Sequence, residues 1–228
     1  MKKPELVAPA GTLDKLKIAI DYGADAVYAG GEEYNLRSGS ANFTLDDVEA
    51  GIEYVHQRGK RFYLTLNIYA HNYHLDTLRQ YLKSLAKYPL DALIVSDPGV
   101  MALIREVLPE VPIHLSTQAN CTNYQSADFW YKQGIRRIVL ARELSLEEIY
   151  QINAYSEGET EVFIHGAMCI SYSGRCYLSS YMAERSANLG DCAQSCRWKY
   201  MIVEEKRPGE YFEVFEDNGF TSVMSSRD

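Results

Sequence analysis

Between residues 5 and 165 one pattern recurs: a short apolar run rich in β-branched residues, a polar turn, then a stretch with apolar residues at helical spacing. The runs fall at 5–8, 26–29, 62–66, 92–95, 113–116, 137–140 and 161–164, each predicted to be a buried strand. Between them, Thr12, Thr44 and Ser145 precede helical patterns as N-caps, and further helices are predicted over 75–87, 100–107, 124–133 and 146–154. Strands alternating with helices at this pace pair in parallel through right-handed crossovers. Seven such units point to an α/β fold of the (β/α) TIM-like barrel type rather than an open doubly wound sheet. No GxGxxG follows the first run, and no phosphate-binding P-loop sequence occurs.

After the seventh run the pattern stops. A stretch holding four of the five cysteines follows, and then 201–204 and 211–215 alternate like the arms of a hairpin about Arg207-Pro208-Gly209, with another short strand near 220–224. The expected organisation is therefore barrel units over 1–166, a cysteine-rich insertion over 167–200 and a β-hairpin segment over 201–228. No eighth strand and helix are visible, so the barrel is expected to be incomplete. Open strand edges are costly unless covered, so a partner chain or a homo-oligomer is expected.

The cysteines are Cys169, Cys176, Cys192 and Cys196, with six residues between the first two and three between the last two. Thiolates gathered in this way suit Zn or an iron–sulfur cluster, and the spacing favours neither strongly. Disulfides are the alternative. The opening MKKPELVAPAG has no apolar signal core, which points to a reducing, cytoplasmic compartment where persistent disulfides are rare. The fifth, Cys121, reads as a small buried residue or a reserve ligand.

The run Glu161-x-Phe163-x-x-Gly166-Ala167-Met168-Cys169, followed after four residues by Gly174-x-Cys176-x-Leu178-Ser179, resembles the signature of the collagenase-like peptidase family U-thirty-two. Leu6-Val7-Ala8-Pro9-Ala10-Gly11, Gly190-Asp191-Cys192 and Cys196-Arg197-Trp198 look like the same family, so the resemblance spans essentially the whole chain. It implies an iron–sulfur protein acting in hydroxylation of tRNA wobble uridine, ribosomal RNA cytidine or the ubiquinone ring, with a 4Fe-4S cluster and, for the RNA-modifying members, prephenate as oxygen donor. It also implies that family members run on beyond this point. Some relatives use a fourth cysteine near the position of Met224 and Ser225, which leaves Cys196 as the fourth ligand here.

In barrels of this type the carboxyl ends of the strands face the active site. The polar residues there are Asn67, Asp97, Gln118, Asn120, Arg142 and His165. His165, Asp97 and Gln118 are candidate catalytic groups; Asn67, Asn120, Arg142 and Arg175 are candidate substrate-binding groups. Arg142 or Arg175 would suit a dicarboxylate, because guanidinium binds carboxylate bidentately. Each has a plainer reading: Asp97 precedes Pro98-Gly99 and can make an Asx turn, and Arg142 can sit in an ion pair with Glu143 or Asp91.

The net charge of −8 disfavours a broad phosphate-binding surface, although eighteen tyrosines offer faces for stacking on bases or on a ring substrate. No run is long enough to span a membrane. Proteolysis is the competing reading, but no HExxH or GxSxG sequence is present and only a Cys169–His165 dyad is conceivable. A third reading is a Zn-stabilised module that binds a partner.

Overall fold

In the computed structural model the described residues are 3–35, 42–166, 169, 171–172, 175–189, 191–217 and 220–223, with strand side chains described as far as 213. Their contacts divide the chain into two units, Met1–Ala193 and Gln194–Asp228, a division that falls inside the expected cysteine-rich segment.

The first unit holds seven parallel strands in the order of the sequence: β1 (Val7–Ala10), β2 (Ala26–Gly30), β3 (Arg61–Leu66), β4 (Ala92–Val95), β5 (Ile113–Leu115), β6 (Arg137–Val139) and β7 (Glu159–Glu161). Six helices cross between them: α1 (Leu13–Asp21), α2 (Leu45–His56), α3 (Asn72–Leu85), α4 (Pro98–Val107), α5 (Tyr124–Lys132) and α6 (Leu146–Tyr155). Strands that neighbour one another in strict sequence order are the barrel arrangement, and the (β/α) barrel-like fold expected from the repeat is present.

The helices start where their caps dictate. Thr12 Oγ1 accepts the Lys15 N–H, and Thr44 with Asp47 and Ser145 with Glu148 form reciprocal capping boxes. The helix faces and the outer sheet face share one apolar core, in which Leu16, Val48, Phe62, Leu64, Leu78, Leu93, Leu115 and Ile138 are fully buried. Each such side chain contributes about 1.5–3 kcal/mol of transfer free energy. Cys121 is buried in the same core.

The inner sheet face differs. Register aligns Tyr28, Tyr63 and Ala92 in one layer and Thr65, Ile94, His114, Arg137 and Glu159 in the next. Only Ala26, Tyr63, Ala92 and Ile94, with Val7 and Tyr28 beside them, make an apolar cluster there. Around it lies a charged network. Arg137, 6% exposed, pairs with Glu5 at 2.5 Å, Glu159 at 2.9 Å and Glu161 at 3.3 Å. The Tyr63 hydroxyl donates to the same Glu5 carboxylate at 2.9 Å, and Arg61 pairs with it at 2.9 Å. A residue just before β1 is thereby tied to β3 and β6, which requires the sheet to curl.

Two strand positions correct the sequence expectation. The first strand is Val7–Ala10 rather than 5–8, because Glu5 is drawn to Arg137. The seventh is Glu159–Glu161 rather than 161–164, since β6 ends at Val139 opposite Glu161. The apolar run Val162, Phe163, Ile164 therefore lies beyond the strand, and all three are exposed. Among the described residues β1 pairs only with β2, and β7 only with β6. A cavity of about 1650 Å³ is lined from both of these edges, by Lys3–Pro9 and by Thr160–Gly166.

A short helix, α7 (Leu178–Ala183), interrupts the cysteine stretch, where no regular element was expected. In the second unit β8 (Met201–Ile202), β9 (Phe212–Asp217) and β10 (Phe220–Val223) form an antiparallel sheet in the order β10, β9, β8. Gly209, at a φ of 90°, lies in the turn between β8 and β9 where the hairpin was expected. No helix among the described residues is long and apolar enough to cross a membrane.

Candidate functional site

The residues singled out at the carboxyl ends of the strands form two groups. In the first, Asn67 after β3 donates from Nδ2 to Gln118 Oε1 at 3.2 Å, and Asn120 donates from Nδ2 to the Gln118 carbonyl at 3.1 Å. Ser116 donates to the same Gln118 side-chain oxygen. A 3-10 turn at Thr117–Ala119 presents Gln118, and Asn120 ends it in the left-handed conformation at a φ of 52°, a region that Asn tolerates. Asn120 Oδ1 is buried with no hydrogen-bond partner, an acceptor aimed away from bulk water.

The second group centres on Arg142, after β6. Its guanidinium lies 4.5 Å from the centre of the Phe163 ring, and Nη1 approaches Cys169 Sγ at 3.6 Å. The alternative partner Asp91 is engaged elsewhere: it pairs with His56 at 2.8 Å and accepts the Phe62 N–H. His165 is exposed and, with Arg142, lines the large cavity as well as a smaller one of about 190 Å³ against Leu144 and Ile149.

Asp97 belongs to neither group. Its Oδ1 accepts the Val100 N–H at 2.9 Å and caps α4, with Pro98 at the first helical position. Arg175 is exposed, with its backbone N–H on the Tyr172 carbonyl. Cys176 is held by a residue the sequence reading did not single out. Asn188 Oδ1 accepts the Cys176 N–H at 2.9 Å, while the Asn188 carbonyl accepts the Tyr69 N–H at 3.3 Å. The cysteine stretch is thus fastened to the segment that leaves β3.

All five cysteines are unbridged. Four thiols, one beside a guanidinium, are by chemistry a donor set for a soft metal centre. Among the described residues no three His, Cys, Asp or Glu side chains are grouped closely enough to hold a metal ion. Cys169, Cys176 and Cys192 belong to the first unit and Cys196 to the second. Gly174, Gly190, Met224 and Ser225 lie outside the described residues.

The charged inner network was also missed. Its signal was present: Glu159 and Glu161 lie two apart and so share a face of a strand, and Arg137 opens the strand beside them. His114 sits among these charges, 3% exposed, its ring edge-on to Tyr63 at 4.8 Å and its Nδ1 without a hydrogen-bond partner. Burial, reinforced by the charge of Arg137, pushes its pKa down to about 3.

A sequentially ordered parallel sheet, curled, with polar residues, Cys169 and Cys176 beside the carboxyl ends of its strands, defines a (β/α)-barrel type of protein. A solved structure of a U32 peptidase shares this fold at a TM-score of 0.57 over 71% of this chain and 70% of its own, at 16% identity. The family model for peptidase family U32 matches residues 11–228, and the chain belongs to that family. A Bacillus subtilis protein described as "tRNA hydroxylation protein P1" is 51% identical over 203 residues, covering 89% of this chain and 48% of that protein. An Escherichia coli protein described as "tRNA hydroxylation protein P" is 42% identical, covering 100% and 59% respectively. The chain therefore spans about half the length of these curated relatives.

Proposed function

We propose that this chain is the barrel portion of an RNA-hydroxylating enzyme of the cytoplasm, acting on tRNA, with ribosomal RNA the second candidate and a quinone precursor the third. The relatives named for tRNA hydroxylation support the substrate class. The observation that carries the chemistry is the Arg142–Cys169 contact at the carboxyl end of β6, which holds a cysteine sulfur beside the strand ends where barrel enzymes work.

Cys169, Cys176, Cys192 and Cys196 would hold an iron–sulfur cluster, with Zn as the alternative metal. When bound, such a cluster supplies electron transfer or a site for an oxygen donor. Replacing a ring C–H by C–OH is a two-electron oxidation of the base, so the co-substrate that delivers the oxygen must itself be reduced by two electrons. Prephenate, a dicarboxylate, is that candidate, and Arg142 and Arg175 are the guanidinium groups suited to it. Gln118, held by Asn67 and Ser116, and the buried acceptor of Asn120 would orient polar edges of the substrate; His165 is the group available to move a proton. The edges of β1 and β7, which pair with no further strand among the described residues, support a further chain segment, a partner chain or a second copy beside them.

Two measurements test the reading. Nucleosides from cells with and without the gene should differ by one hydroxylated pyrimidine. Protein purified without oxygen should contain iron and sulfide that fall when Cys169 or Cys176 is changed to Ser. Unchanged nucleosides would remove the hydroxylation, and stoichiometric Zn in place of iron would leave a structural metal module.

A further inference from the structure

Beyond β3 the chain carries a run of aromatic rings. Tyr69 and His71 lie 5.6 Å apart, and His71 and Tyr73 lie 5.4 Å apart with their planes within 8° of parallel. Tyr73 contacts His74 at 4.0 Å, His74 meets Tyr34 edge-on at 6.3 Å, and Tyr34 packs on Tyr81 at 5.5 Å. The inner end, Tyr34 and Tyr81, packs against the apolar core. The outer end does not: Tyr69 is 54% exposed and Tyr73 is 69% exposed. Packing accounts for the inner rings, while the outer ones leave flat apolar faces in water.

The run is also fastened to the cysteine stretch. Asn188 accepts the Tyr69 N–H with its carbonyl and the Cys176 N–H with its side chain. One residue thus sets the outer rings and a candidate metal ligand side by side.

We propose that Tyr69, His71 and Tyr73 form a stacking platform for an unpaired RNA base, beside Cys176. The inference rests on the RNA reading above and gives it a contact surface. Binding RNA through its phosphates requires clustered Lys and Arg, and this chain has a net charge of −8. Stacking of a base on an aromatic face needs no cation and contributes about 1–3 kcal/mol per base. A base within a duplex has both faces covered, so the platform selects an unpaired one.

The test is binding of a labelled single-stranded RNA oligonucleotide and of its duplex to the full chain, followed by fluorescence anisotropy at several salt concentrations. Single strand should bind more tightly than duplex, with a shallow salt dependence. Tyr73→Ala and Tyr69→Ala should each weaken binding by about 5- to 150-fold, the range that stacking energies convert to, and Tyr73→Phe should change it less than about 2-fold. Circular dichroism spectra matching the parent would show that the variants are folded. Absence of single-strand binding by the parent, equal binding of duplex, or alanine variants that bind like the parent would each overturn the platform. Nucleoside analysis separates the two claims. Unchanged nucleosides with Tyr73-dependent binding remove hydroxylation but keep the platform; hydroxylation that survives unchanged in Tyr73→Ala removes the platform alone.

Discussion

Arg137, at the first position of β6, closes a 2.5 Å ion pair with Glu5, which lies 132 residues earlier and just ahead of β1. The pair joins β6 to the segment ahead of β1, a strand that is not its neighbour in the sheet, and the same guanidinium also holds Glu159 and Glu161 on β7. Three carboxylates around Arg137 are balanced by Arg61 on Glu5 and Arg136 on Glu159, so the network is neutral as a whole. Removing one member of such a buried set leaves uncompensated charge.

Arg137→Met should therefore lower the stability of the first unit by about 3–5 kcal/mol, measured by urea unfolding. A loss below about 1 kcal/mol would mean that water already screens these groups.

Acid should act through His114. Its neighbours are the Tyr63 ring on β3, Arg137 and Glu159 on β6 and β7, and Arg136 and Arg61; burial and the arginines hold the ring neutral. The folded pKa of about 3 lies below the unfolded value of about 6.5, so the unfolded chain binds more protons between the two. Stability should be flat above pH 6.5 and fall as pH drops below it. Between pH 7 and 5, where most carboxylates stay ionised, His114→Asn should flatten that slope, as read from urea midpoints; an unaltered slope would show that other groups cause it.

Asp97 is expected to serve α4 rather than the chemistry. Asp97→Ala should cost about 0.5–2 kcal/mol while Asp97→Asn, which keeps an acceptor at the cap, should cost little. Loss of nucleoside hydroxylation in a stably folded Asn variant would restore a catalytic role.

At Gly158 an added methyl would fall on the Tyr131 ring, whose hydroxyl donates to the Glu159 carbonyl at 2.9 Å. Gly158→Ala should destabilise by about 1–3 kcal/mol by forcing α5 away from β7. A melting temperature equal to the parent's would show that the ring moves aside freely.

Asn188→Ala should release Cys176 from the segment after β3. The Cys176 and Tyr69 amides should then exchange faster with deuterium, and iron retention should fall, without a change in the global urea midpoint. Unchanged exchange at both amides would remove Asn188 as the fastening.

The strands that read most easily were those buried on both faces. Ala92–Val95 and the central helices carry a strong apolar period, and Thr12, Thr44 and Ser145 mark helix starts through purely local hydrogen bonds. The errors fell where a distant partner overrides local preference. Glu5 leaves the first strand for Arg137, and the apolar run Val162-Phe163-Ile164 overshoots a strand whose neighbour has already ended. In the site, Arg142 and the cysteines were legible from residue type and position, whereas Asn188 carried no signal, because an Asn in a loop is ordinarily solvent-facing.

What the order of residues determined by itself was the repeating strand and helix, the parallel pairing that follows from it, and the gathering of four thiols in the stretch after β7. All of these depend on contacts within a few residues or on side-chain identity. Only the folded chain decided that the inner face would be charged around Arg137, that Asn188 would join Cys176 to Tyr69, and that the outer rings would stay in water. The first two join residues far apart in sequence, and the third depends on what packs around the rings, so none can be read from neighbouring residues alone.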